Sequence, residues 1–139
     1  MALTAEIMAM RAGEGDPAAL VGEFRRTAVL VPVTDDGLMS GYFGGIRWLY
    51  AFTDETALAR FAQARGLPPV EEVEYRAVLG ARLLDVVIPQ TEGPTGVAVD
   101  VGDDGTGMLF PPVRGIVPDE AAVDAQAEET DAAGKGSAR

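Results

Sequence analysis

Three groups of residues have types and spacings that chemistry could use. Asp100-Val101-Gly102-Asp103-Asp104-Gly105 sets three carboxylates among glycines, as a calcium loop does. An EF-hand loop, however, needs oxygen ligands at alternate positions and a bidentate glutamate at the twelfth. Counted from Asp100, the third position is Gly102 and the twelfth is Pro111, so the match fails. An Asp-Asp-Gly turn accounts for the same residues. Glu71, Glu72 and Glu74 offer paired carboxylates for acid–base work. Only burial would raise their pKa usefully, and an acidic segment of this kind reads as solvated. Arg47 and Trp48 are adjacent, so in a strand they point to opposite faces. Arg47, with Leu49 beside it on the outer face, would anchor a carboxylate or a protein partner, while Trp48 serves the core or an interface. Arg47, Trp48 and Leu49 are therefore the candidate contact residues.

Few other catalytic groups are present. The 139 residues include no cysteine, which excludes disulfides, thiolate catalysis and zinc–thiolate sites. They include no histidine, which removes the commonest general base and metal ligand. The two serines, Ser40 and Ser137, lie outside any nucleophile-elbow pattern. Gly102, Gly105 and Gly107 are not followed by Gly-Lys-Ser/Thr, so they make no phosphate loop. No catalytic residue, metal or cofactor is expected, and the chain is read as not an enzyme.

Net charge is −11. Such a surface repels nucleic-acid phosphates and anionic lipid, so neither is an expected partner. A protein partner, a basic one if charge steers the encounter, is the expectation. Assembly of identical copies through an exposed sheet face is an alternative. No apolar run approaches the roughly 18 residues that a membrane span needs. Glu6 and Arg11 break the pattern of a signal peptide, and the protein is expected in the cytoplasm.

The element that must position Arg47 and Trp48 runs from Ile46 to Phe61. Ile46, Trp48, Tyr50 and Phe52 alternate, as on one face of a strand. Thr53 or Asp54 then caps a helix carrying Ala57, Leu58, Phe61 and Ala62 at helical spacing. Gly66 closes it, and Pro68-Pro69 prevent its continuation.

The rest of the chain frames that junction. Leu3 to Met10 reads as a short helix ended by Gly13-Glu14-Gly15, and Asp16-Pro17 starts a second with Leu20, Val21 and Phe24 on its apolar stripe. Residues 27–33 form an apolar strand buried on both faces, with Pro32 at an edge or at the strand's exit. Asp35-Asp36-Gly37 turns it into a strand over 38–43, and Gly44-Gly45 turns that into 46–52. Tyr75 to Leu79 reads as a strand. Residues 80–88 fit helix or strand, with helix preferred, and Pro89 stops them. Val97, Val99 and Val101 mark another strand, paired in a hairpin with Met108-Leu109-Phe110. After Pro118 the chain is acidic and lacks aromatics, so 119–139 reads as a disordered tail whose deletion should leave the melting temperature nearly unchanged. The expected architecture is α+β: one domain over 1–118, with an antiparallel or mixed sheet and packed helices.

Val29-Leu30-Val31-Pro32, a hairpin, and Leu49-Tyr50-Ala51-Phe52-Thr53-Asp54 leading into a helix together resemble the SseB protein N-terminal domain. Leu79-Gly80-Ala81-Arg82-Leu83-Leu84 and Gly96-Val97-Ala98-Val99-Asp100 resemble its second half. The resemblance covers about residues 16–112. It implies an α+β domain of bacterial proteins that are mostly uncharacterised, without established catalytic residues. The C-terminal region usual in longer members is replaced here by the acidic tail. The expected function is a non-catalytic adaptor or regulatory module that binds another protein. The alternatives are an immunity- or chaperone-type inhibitor of a basic partner, and a small-ligand binder or a carboxylate- or arginine-based enzyme.

Overall fold

A computed structural model describes residues 2–35, 37–67, 73–102 and 107–124. Two helices open the chain, α1 (Ala2–Arg11) and α2 (Pro17–Arg26). Asp16 caps α2 by accepting from the Ala18 amide at 3.0 Å, and Pro17 takes the first turn, where its missing N–H costs nothing. Strands β1 (Ala28–Thr34), β2 (Gly37–Leu38), β3 (Ser40–Phe43) and β4 (Ile46–Ala51) follow. Helix α3 (Glu55–Ala64) and strand β5 (Tyr75–Leu79) come next.

The segment over 80–90 is helical, as preferred from the sequence. It begins as α-helix at Gly80–Arg82, widens into π turns at Leu83–Val87 and tightens to a 3-10 turn at Ile88–Gln90. Pro89 does not stop it as expected: the ring sits inside the last 3-10 turn, and the helix ends one residue later at Gln90. Strands β6 (Thr95–Val99) and β7 (Met108–Phe110) complete the sheets, and a 3-10 turn spans Asp119–Ala121.

The strands form an antiparallel sheet ordered β2-β1-β5 and a mixed one ordered β3-β4-β6-β7, in which β4 and β6 run parallel. The two are joined where Leu30 and Phe52 exchange both backbone hydrogen bonds, each at 2.8 Å. The single strand expected over 38–43 is divided at Met39. Its amide donates to the Pro32 carbonyl, and its own carbonyl accepts from Tyr50, so the chain changes partner there from β1 to β4. Pro32 is not the exit of β1, which continues to Thr34. The proline ring nitrogen lies on the irregular side facing Met39, where no ladder bond is missed.

Both faces of the sheets are covered. Leu3, Ile7, Leu20 and Phe24 of the first two helices, with Leu83, Leu84 and Ile88, pack on Val29, Val31, Leu49, Val97 and Val99. Phe24 stacks on Phe110 with ring centroids 4.5 Å apart. The second core lies across the sheet, where Leu58 and Phe61 of α3 meet Trp48, Tyr50 and Phe52. Asp54 caps α3 through the Ala57 amide at 2.8 Å. At its far end Gly66 takes φ +68 and the Leu67 amide returns to the Ala62 carbonyl at 2.8 Å. The alternation of Trp48, Tyr50 and Phe52 thus does what its period requires.

The packed body extends past Pro118, where the sequence placed the start of the tail. Ala122 is fully buried in the larger core. The Val123 amide donates to the Pro112 carbonyl at 2.8 Å, and Asp124 accepts from the Arg114 amide at 2.9 Å. The rest of the expected tail, 125–139, lies outside the described residues.

Candidate functional site

The β3–β4 hairpin carries the most exposed aromatic surface among the described residues. Gly44 and Gly45 both take positive φ, +63 and +80, as a two-residue turn of this hand demands. The resulting register sets Phe43 opposite Ile46, Tyr42 opposite Arg47 and Gly41 opposite Trp48. β3 is the outer strand of its sheet. At its tip Tyr42, on the Arg47 face, is 70% exposed and Phe43, on the Trp48 face, is 76% exposed.

The tip is braced from behind. Arg47 donates Nε–H to the Tyr42 hydroxyl at 3.0 Å, with its guanidinium carbon 5.2 Å from the ring centroid. The indole N–H of Trp48 donates to the Phe43 carbonyl at 3.2 Å. One layer further in, Arg65 donates to the Tyr50 hydroxyl at 2.8 Å and lies across the Tyr50 and Phe61 rings. The Tyr50 hydroxyl comes so close to Gly41 that a Cβ there would collide with it.

Of the candidate contacts read from sequence, Arg47 and Trp48 come together at this hairpin. Leu49 does not. It is 3% exposed and packed in the larger core. Its expected place on an outer face is corrected: β4 is an interior strand, and the first two helices cover the side that carries Leu49. Tyr42 and Phe43 were not singled out from sequence. The signal was the Gly-Gly turn, which fixes the register and so puts the preceding aromatics at the tip.

A cleft of about 700 Å³ opens between α1 and the start of α3. Ile7, Met8 and Ala57 give it an apolar wall, and Arg11, Arg60, Asp54 and Asp100 give it charge. Asp100 takes φ +54, unusual for a residue other than glycine. Its carboxylate accepts from both the amide and the hydroxyl of Thr53, each at 2.8 Å. Burial pushes the Asp100 carboxyl above its ordinary pKa; the Thr53 hydrogen bonds pull against that, the Asp54 charge adds to it and Arg60 opposes it. Asp54 is committed to capping α3, and Arg11 donates to the Gly107 carbonyl at 2.8 Å. The acids of the cleft thus hold backbone in place.

Asp100, first in the rejected calcium-loop pattern, ties β6 to the strand–helix junction. Positions 103 and 104 of that pattern lie outside the described residues. Among the described residues, no group of three acidic side chains stands ready for a metal ion. Of the glutamate cluster, 71 and 72 also lie outside them, and Glu74 is exposed. No described helix is long and apolar enough to cross a membrane. No family model matches the chain, and no curated protein or solved structure matches it.

Proposed function

We propose that this chain is a non-catalytic protein-binding module, an adaptor or regulatory domain of the cytoplasm, that engages its partner through the tip of the β3–β4 hairpin. One observation carries the reading: Tyr42 and Phe43 stand exposed on the two faces of one edge strand, with Arg47 bonded to the first side chain and Trp48 to the second residue's carbonyl. Tyrosine, tryptophan and arginine dominate binding energy at protein interfaces. A strand already fixed loses little entropy on docking. The net charge of −11 supports a basic partner, as an immunity- or chaperone-type inhibitor would have. The sequence resemblance to the SseB N-terminal domain, which no family model bears out, implies a family without established catalytic residues, in keeping with this reading.

The test is a photo-crosslinking amino acid placed at position 43 in the native cell. The reading expects one dominant crosslinked protein. Crosslinks to no protein, from a probe shown to be active, would overturn it. A second reading, small-ligand binding, has the cleft beside α1 in its favour, since about 700 Å³ lies in the usual range of ligand sites.

A further inference from the structure

Strand β5 lies at the edge of its sheet, away from the β3–β4 hairpin. Among the described residues it pairs only with β1. The register sets Ala77 opposite Leu30, whose N–H and C=O are both committed to Phe52. In an antiparallel ladder such a residue turns its own backbone groups the other way. Ala77 therefore presents its N–H and C=O outward. So do Tyr75, opposite Pro32, and Leu79, opposite Ala28, two residues to either side. Apart from bonds within helices and strands, no backbone hydrogen bond to these groups is seen among the described residues, and Leu79, as N-cap of the Gly80–Arg82 turn, offers the edge its N–H.

Beside this edge runs an open groove of about 560 Å³, lined by Arg76, Ala77, Val78, Leu79, Arg82 and Val87. Leu79 and the neighbouring Val86 are exposed. Arg76 and Arg82 are exposed, and neither belongs to an ion pair among the described residues. Asp85 is the carboxylate nearest in sequence to Arg82, and it is held by Arg25 at 2.6 Å. The groove lining thus carries two arginines and no carboxylate on a chain whose net charge is −11, the exposed Glu74 standing two residues before Arg76.

We infer that the β5 edge takes up an extended acidic peptide segment of another protein as an added strand. Main-chain hydrogen bonds to Tyr75, Ala77 and Leu79 would hold the segment, and Arg76 and Arg82 would select its carboxylates. Ladder bonds give affinity without sequence preference, so the two arginines set the specificity. An identical copy is a poorer occupant, because antiparallel pairing of two β5 edges brings arginines toward arginines.

The probe is the blocked peptide Ac-EVTVEV-NH2, with Ac-KVTVKV-NH2 as control, titrated into the full-length protein and followed by amide shifts and calorimetry. The acidic peptide should shift the amides of Ala77 and Leu79. The lysine peptide, and the acidic peptide against the Arg76→Glu/Arg82→Glu variant, should bind roughly tenfold more weakly. Ala77→Pro removes an outward N–H that β1 does not use, so it should keep the fold and lose the peptide. Should that variant unfold, Ala77→Asp keeps the backbone donor and should weaken only the acidic peptide. Equal binding of both peptides, shifts at Tyr42 and Phe43 instead of β5, or no shifts at millimolar peptide would overturn the inference. So would a dimer in sedimentation that Ala77→Pro dissolves, which would assign the edge to a second copy. The hairpin reading is unaffected by any result confined to β5.

Discussion

The indole N–H of Trp48 donates to the main-chain carbonyl of Phe43 at 3.2 Å, tying a buried aromatic of the hairpin to its most exposed one. Trp48 therefore has two roles. Its ring fills the second core, and its N–H fixes the strand that carries the tip. Trp48→Phe keeps most of the first role and removes the second. The expected cost is about 1 kcal/mol of stability, read by urea unfolding. Amide exchange should quicken at Tyr42 and Phe43, with α3 unchanged. Exchange that stays wild-type at the tip would show the bond to be idle.

Gly41 and Tyr50 give a packing prediction. A methyl group at position 41 meets the Tyr50 hydroxyl, which Arg65 holds at 2.8 Å. Gly41→Ala should cost about 1–3 kcal/mol. In a Tyr50→Phe background, where the hydroxyl is gone, the same change should cost clearly less. Strictly additive losses in this cycle would mean that the two residues do not press on one another.

Asp100 gives a pH prediction. Its folded pKa is raised, chiefly by burial, so the folded state binds the proton more tightly than the unfolded chain does. The charged carboxylate costs stability at neutral pH, and that cost is relieved as pH falls through the folded pKa. Asp100→Asn can still accept from the Thr53 amide, and asparagine tolerates positive φ. The variant should match or exceed wild type in melting temperature at pH 7. The difference should shrink as pH is lowered toward the ordinary carboxylate range. A variant deficit that is largest at pH 7 would reverse the assignment.

The Arg25–Asp85 pair gives the opposite sign. Its hydrogen bonds from Arg25 hold the Asp85 carboxyl below its ordinary pKa, so its contribution is present above the unfolded pKa and fades as pH falls through the folded one. Both side chains are substantially exposed, which limits the effect of Asp85→Asn to under about 1 kcal/mol. Equal effects at pH 3 and pH 7 would exclude an electrostatic origin.

The C-terminal segment separates two truncations. Removing 125–139 leaves Ala122 and Asp124 in place, whereas removing 119–139 strips them from the larger core. The longer deletion should melt lower than the shorter one. Identical melting temperatures would show that 119–124 contributes nothing.

Much of this architecture was legible because it rests on local rules. Asp16-Pro17, Asp54 and Gly66 mark helix ends through capping chemistry that needs no knowledge of the rest of the chain. The alternation over 46–52 placed Trp48, Tyr50 and Phe52 on one face correctly. Leu49 failed because alternation tells which residues share a face, not whether a helix covers it. The split at Met39 was hidden because a strand that changes partners keeps its own pattern. Ala122 was missed because a small anchor has no signature until its groove is known. The aromatic tip followed from a register that the Gly-Gly turn already contained, but its exposure depends on how far the helices on the two faces of the sheet reach.

The central claim is that the hairpin tip binds a protein. The most direct measurement compares affinity capture from native cell extract by the wild-type chain and by Tyr42→Ser/Phe43→Ser. Both side chains are exposed, so the variant should unfold within about 1 kcal/mol of wild type. The account predicts a dominant partner that wild type retains and the variant loses, with a loss of about 2 kcal/mol or more once that partner is purified. Recovery of the same proteins by both chains, or of the bait alone beside a working control, would contradict it.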